Sequence, residues 1–173
     1  AMKLKTYDAF LLLNDDVKLK SDFILNLLKA EEFSLEETGK RGIYSGATED
    51  EFTGKLTYGG LVIKHNHIIM TAQPVVPTNI PQRCDLLNAN ILWISKCVVD
   101  KIGIFDDKYT HGIADFDYSQ KAAKNGIILL LAPNSCGLCS NDKGNSWKSN
   151  KTPLKERVKW MKSPKGLSYN EYL

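Results

Sequence analysis

No stretch of this sequence supplies the roughly 18 consecutive apolar residues that a membrane-spanning helix requires. Nor does the opening Ala1-Met2-Lys3-Leu4-Lys5 lead into the apolar core and cleavage site of a signal peptide. Histidine is scarce, with three residues in 173. His65 and His67 alternate across an expected hairpin turn, so their side chains point apart and do not form a metal pair. The four cysteines include one Cys-x-x-Cys, Cys136-Gly137-Leu138-Cys139, with no second pair at zinc-type spacing and no strand-to-helix setting for redox work. They read as reduced structural thiols. Charge of one sign is missing too: the net +3 comes from interspersed residues. The basic stretch Lys143 to Lys165 lacks the arginine and aromatic interleaving of a nucleic-acid surface, so no nucleic-acid partner is expected. Internal repeats and low-complexity segments are absent.

What is present suits one soluble domain spanning residues 1–173, with 43% hydrophobic and 25% charged residues. Ala9-Phe10-Leu11-Leu12-Leu13 predicts a fully buried strand ending in an acidic loop, Asn14-Asp15-Asp16. Ser21 predicts the N-cap of a helix whose face carries Phe23, Ile24, Leu27 and Leu28. Glu31 to Gly42 reads as loop, Ile43 to Ala47 as strand, and Glu49-Asp50-Glu51 as a solvated turn. Tyr58 to Lys64 and His67 to Thr71 predict a hairpin, and Gln73 to Pro81 a proline-bearing loop. Short strands follow at Cys84 to Leu87 and Ile91 to Ile94, with Trp93 in the core. Ser95 caps a helix stopped by Gly103, and Asp115 to Asn125 is a second helix stopped by Gly126. Ile127 to Leu131 is a buried strand ended by Ala132-Pro133, with loop onward to Asn150. A last helix begins at Thr152-Pro153, with Val158 and Met161 on one face. The order of elements predicts an α/β domain, a mixed sheet with helices packed on it.

Two acidic segments fall at strand and helix ends, where open α/β sheets place ligands. In Asn14-Asp15-Asp16, two carboxylates on a tight turn repel each other. A divalent Mg²⁺ or Mn²⁺ with oxygen ligands relieves that repulsion and bridges a diphosphate; a plain Asx turn is the competing reading. In the second segment, Asp115 opens a helix whose dipole favours its anionic form, poised as a general base toward a hydroxyl. A simple helix-capping carboxylate is the alternative there. Asp117, two residues on, points elsewhere.

Together these residues resemble a family. Tyr7-Asp8-Ala9-Phe10-Leu11-Leu12-Leu13-Asn14-Asp15-Asp16-Val17 is similar to the strand and Asp/Asn-x-Asp motif of family 2 glycosyltransferases. Asn88-Ala89-Asn90, Gly103-Ile104-Phe105-Asp106-Asp107-Lys108-Tyr109, Ala114-Asp115-Phe116-Asp117-Tyr118-Ser119-Gln120-Lys121 and Gly126 follow in that family's order, rhamnosyltransferase-like members being nearest in flavour. The resemblance spans most of residues 7 to 133. It implies a GT-A-like mixed sheet flanked by helices, N-terminally truncated, because the family's nucleotide-binding front half would precede the first strand.

The resemblance further implies a metal-dependent, inverting transfer of a sugar from a nucleotide-diphosphate donor to a glycan acceptor, in polysaccharide biosynthesis. Asp16 would hold Mn²⁺ or Mg²⁺, with Asn14 nearby, and Asp115 would deprotonate the acceptor. Asp15, Asn90, Ala114, Asp117, His111 and Trp147 would line the substrate side, Trp147 as an aromatic platform. Cys139 or Asn141 would stand where family members place a late metal-ligating histidine. Ala114 departs from the family's usual Glu. A cytoplasmic location at the inner face of the membrane, peripheral membrane association and homo-oligomerisation are the accompanying expectations, the last because a missing front half bares a sheet edge. The rival reading is a degenerate, non-catalytic fragment serving as a glycan- or protein-binding module. A two-carboxylate glycosidase using Asp16 and Asp115 fits less well, since the Asn-x-Asp turn suits a metal better than a protonated acid.

Overall fold

The computed structural model describes residues 7–65, 70–109, 113–140 and 152–162. Its elements in chain order are β1 (Ala9–Leu13), β2 (Lys18–Leu19), α1 (Phe23–Thr38), β3 (Ile43–Glu49), β4 (Leu56–Tyr58), β5 (Gly60–His65), β6 (Met70–Pro74), β7 (Gln82–Arg83), β8 (Leu86–Leu87), β9 (Ile91–Ser95), α2 (Lys96–Ile102), α3 (Ala114–Lys124), β10 (Leu129–Leu138) and α4 (Leu154–Met161). Five strands form the spine of a seven-stranded sheet in the order β1-β9-β3-β10-β2, with β4 added to β3 and β7 to β10. Only β3 and β10 run parallel; the other pairings in this sheet are antiparallel. A second sheet, β6-β5-β8, contains the expected hairpin, with His65 opposite Met70 and the connection outside the described residues.

Side-chain alternation along the central strands builds a core on each face of the main sheet. Ile43, Leu92 and Leu129 join Val98 and Ile102 of α2 and Tyr118 and Ala122 of α3. Their chain neighbours Tyr44, Ile91 and Leu130 join Leu27 and Ala30 of α1 on the opposite side. Helices on both faces therefore bury a mixed sheet, as expected from the order of elements. Among the described residues, no helix is long and apolar enough to cross a membrane.

Several local expectations are corrected. β1 is half-buried and not fully buried, since it is an edge with β9 as its neighbour in the sheet, and Leu13 is 44% exposed. The predicted loop from Glu31 is helix as far as Thr38. Ala30 and Ser34 continue the buried face begun by Asn26 and Leu27, and the Ser34 hydroxyl is satisfied by donating to the Lys40 carbonyl at 2.7 Å. Gly39, at φ 67°, ends the helix by donating its N–H to the Leu35 carbonyl. At the front of α1 the flanking residue is Asp22, not Ser21, and its carboxylate accepts from Asn26 Nδ2 at 3.1 Å.

Ala132-Pro133 does not end the strand either: β10 runs on to Leu138. Its register against β3 shifts between Leu131 and Ser135, and Asn134 takes φ 58° there. The proline sits in this bulge, where a missing N–H costs no ladder bond. Likewise Gln73 and Pro74 belong to β6, an edge strand that tolerates proline. Trp93 is half-buried beside the α1 core, and its indole Nε1 is buried with no hydrogen-bond partner among the described residues.

Candidate functional site

The turn Asn88-Ala89-Asn90, between β8 and β9, joins the two acidic segments. On one side, Ala89 N–H donates to Asp115 Oδ2 at 3.2 Å and Asn88 Nδ2 reaches the same oxygen at 3.5 Å. Asp115 Oδ1 accepts from the Phe116 N–H at 2.9 Å. The Asp115 carbonyl accepts from the Ser119 hydroxyl at 2.8 Å, and that hydroxyl in turn accepts from Leu87 N–H at 3.1 Å, tying α3 to β8. On the other side, Asn14 N–H donates to the Asn90 carbonyl at 3.1 Å, and Asn90 Nδ2 lies 3.8 Å from the Cys139 sulfur. One turn thus holds the end of β1, the start of α3 and the end of β10. Asn88 is fixed in its own right, accepting from Gly59 N–H through Oδ1 and from Ser45 Oγ through its carbonyl.

The environment of Asp115 differs from the helix-dipole expectation. Burial pushes its carboxyl above the ordinary carboxylate range, and the bonds from Ala89, Phe116 and Asn88 offset only part of that desolvation. A carboxylate raised in this way is a stronger base toward a hydroxyl than an exposed one.

Asp15 and Asp16 are exposed on the turn after β1. Asp16 lines a cavity of about 160 Å³ together with Lys18, Glu51, Leu138, Cys139 and Ser140. At its rim Lys18 Nζ lies 2.8 Å from both carboxylate oxygens of Glu51. Burial, followed by the nearby charge of Asp16, pushes the Cys139 thiol up. Cys136 faces the α1 core instead and is pushed up to about 12 by burial, the state of an inert packing thiol. Among the described residues no group of three or more His, Cys, Asp or Glu side chains is arranged to hold a metal.

Of the other sequence-derived candidates, Asn90 is buried in the hub and Ala114 is the first residue of α3. Asp117 Oδ1 accepts from the Tyr109 hydroxyl at 3.1 Å, tying Tyr109 to the first turn of α3. His111, Trp147 and Asn141 lie outside the described residues. The Gly103-Ile104-Phe105-Asp106 motif proves largely architectural. Phe105 stacks on Tyr118 at 4.4 Å, and the Tyr118 hydroxyl donates to the Gly103 carbonyl at 2.8 Å. Sequence reasoning missed Lys18, Glu51 and Ser119. Glu51 carried a weak signal, as an acid next to a turn, but only the pairing of β10 with β2 and β3 brings it opposite Asp16.

No protein-family model and no curated protein matches this chain. Among solved structures it is similar to GalNAc-T7, crystallised with UDP, GalNAc and Mn²⁺, at 17% identity and a TM-score of 0.57. That similarity covers 92% of this chain and 32% of the neighbour, so the chain corresponds to about a third of that protein's length. At this identity the likeness concerns the fold. The mixed sheet, the helices on its two faces and this neighbour agree: the chain has a GT-A-like fold.

Proposed function

We propose that this chain carries the metal- and acceptor-side residues of a sugar-nucleotide-dependent glycosyltransferase of the inverting, family 2 type. The observation that carries the reading is the Asn88–Asn90 turn, which gathers the acidic turn after β1 and the buried carboxylate of α3 into one region of a GT-A-like fold. Asp115 takes the proton of the acceptor hydroxyl as its oxygen attacks the anomeric carbon. The bond from that carbon to the diphosphate breaks, and its electron pair leaves on the diphosphate oxygen. Raised basicity and a fixed position both favour the step.

A divalent cation would supply charge neutralisation for the leaving diphosphate. Asp16, with Asn14 two residues back, would be the oxygen donor set for it. The Cys139 thiol beside Asp16 is pushed up and stays protonated, so it is no ligand. So few protein ligands suit a hard cation that draws its remaining ligands from phosphate and water, as Mg²⁺ or Mn²⁺ does.

The test is thermal denaturation with Mn²⁺ and UDP, GDP or dTDP. Ligand at about a hundred times its dissociation constant adds roughly 2.7 kcal/mol to the folded state. Wild type should show a metal-dependent shift with one nucleotide, and Asp16→Ala should lose it. An equal shift in the variant removes Asp16 from the site.

A second reading is favoured by one observation. The Asp115 carboxylate already accepts from Ala89, Phe116 and Asn88, as a purely structural latch would. On that reading the chain is a glycan- or protein-binding module without turnover. In either case β1, Ala-Phe-Leu-Leu-Leu, is an edge strand among the described residues, with no charge or proline within it to blunt it. Self-association is the expected consequence, and a strictly monomeric light-scattering profile contradicts it.

A further inference from the structure

The turn between β3 and β4 presents Phe52 with 82% of its surface exposed, more than any other large apolar side chain among the described residues. The backbone beneath it is tightly held. Asp50 Oδ1 accepts from Phe52 N–H at 3.2 Å, from Thr53 N–H at 2.9 Å and from the Thr53 hydroxyl at 2.8 Å. Asp50 N–H donates to the Lys55 carbonyl at 2.8 Å, and Gly54, at φ 65°, donates back to the Asp50 carbonyl at 2.9 Å. A large ring is thus displayed on a pre-organised turn, where packing gives it nothing.

This turn adjoins the cavity at several points. Glu51 lines it, and Cys139 N–H donates to the Glu49 carbonyl at 2.9 Å. The bonds from Thr53 chiefly hold the Asp50 carboxyl below its ordinary range, and Ser140, also in the cavity lining, adds a smaller share. The cavity measures about 160 Å³. In size alone that matches one six-membered ring. The lining is mostly polar, with Asp16, Lys18, Glu51 and Ser140, which suits a hydroxylated ring rather than an apolar one. At the rim, the Lys18 ammonium donates and the Glu51 carboxylate accepts. Adjacent hydroxyls act as both donor and acceptor, so a diol is the natural partner for such a pair.

We propose that Phe52, Lys18 and Glu51 form a pyranose-binding subsite at this cavity. The C–H face of one sugar ring stacks on the phenyl ring, and adjacent hydroxyls take over the Lys18–Glu51 pair. The inference deepens the glycosyltransferase reading, on which it rests, by assigning the residues that grip a sugar ring.

Saturation-transfer NMR of the full chain with a panel of methyl pyranosides, and separately with uridine, tests it. Wild type should receive saturation from the protein on the ring C–H protons of at least one pyranoside. Phe52→Ala should weaken that affinity about three- to tenfold. Phe52→Trp should retain it, Lys18→Ala should also weaken it, and the melting temperatures of the Phe52 variants should match wild type. The proposal is overturned if wild type binds no pyranoside, if Phe52→Ala binds as well as wild type, or if Phe52→Ala weakens only uridine. Pyranoside binding that depends on Phe52, without metal-dependent nucleotide binding, leaves the subsite standing and removes a working donor site from this chain. The converse result removes the subsite alone.

Discussion

On the glycosyltransferase reading, Asp115→Asn in the full-length enzyme should lower the rate of sugar transfer about 10²- to 10⁴-fold, the range a positioned general base contributes, while leaving donor affinity unchanged. The substitution is nearly isosteric. The amide oxygen still accepts from Ala89 N–H, so the hub between β8 and β9 stays in place while the proton acceptor is gone. Retained turnover would assign Asp115 a latching role only and favour the non-catalytic reading. Asp115→Ala separates the two roles, because it leaves the Ala89 N–H without its partner and should cost about 1–3 kcal/mol of stability in addition.

The same residue makes a prediction about pH. The Asp115 carboxyl is raised in the folded state by burial, so the unfolded chain ionises first as pH rises. Stability therefore falls as pH climbs from the ordinary carboxylate value through the raised, folded one, and levels off above it. Asp115→Asn lacks this loss. Its stability relative to wild type should increase across that window, measured by urea unfolding at a series of pH values. An unchanged difference would mean that the carboxyl is not raised.

Gly42→Ala should destabilise the fold by about 1–3 kcal/mol, the usual cost of overpacking a filled site. A methyl at this position would collide with the Ile128 carbonyl oxygen and meet Ile128 Cγ2 at 2.5 Å, and backbone cannot step aside cheaply. The same carbonyl accepts from Ile43 N–H at 3.0 Å, beside the parallel pairing of β3 with β10. Gly42 N–H also donates to the buried Tyr44 hydroxyl at 2.7 Å, so displacement of this backbone strains that contact too. Chemical denaturation should show a lowered midpoint with an unchanged slope. A midpoint equal to wild type would show that the β3–β10 junction has slack. Gly39→Ala is the matched contrast: nothing lies within 4 Å of its Cβ position, so its cost is confined to the φ of 67°.

Where signals were local, the sequence was legible. The apolar run of β1 ended by Asn14-Asp15-Asp16, the α2 helix between Ser95 and Gly103, and the α3 helix stopped by Gly126 all stand where residue type and spacing put them. Gly103 and Gly126 have positive φ, the conformation that makes glycine the natural stop. The second half of α1 was illegible because Ser34 and Thr38 look like loop residues until the Lys40 carbonyl takes the Ser34 hydroxyl and the Ser34 carbonyl takes that of Thr38. The extension of β10 past Pro133 was hidden for a similar reason, since a proline reads as a stop unless a partner strand allows a bulge.

Residue chemistry alone singled out two carboxylate-bearing segments, ordered along one α/β chain, as candidates. It did so because charge at the end of an apolar run is a local property. Only the tertiary structure decided how those segments relate. The joining turn at Asn88–Asn90 acts through hydrogen bonds to residues 26 to 76 positions away. Burial reversed the expected direction at Asp115, because desolvation depends on what packs around a carboxylate and not on where it sits in a helix. The cavity bordered by Asp16, Glu51 and Cys139 exists because β10 brings three distant segments side by side.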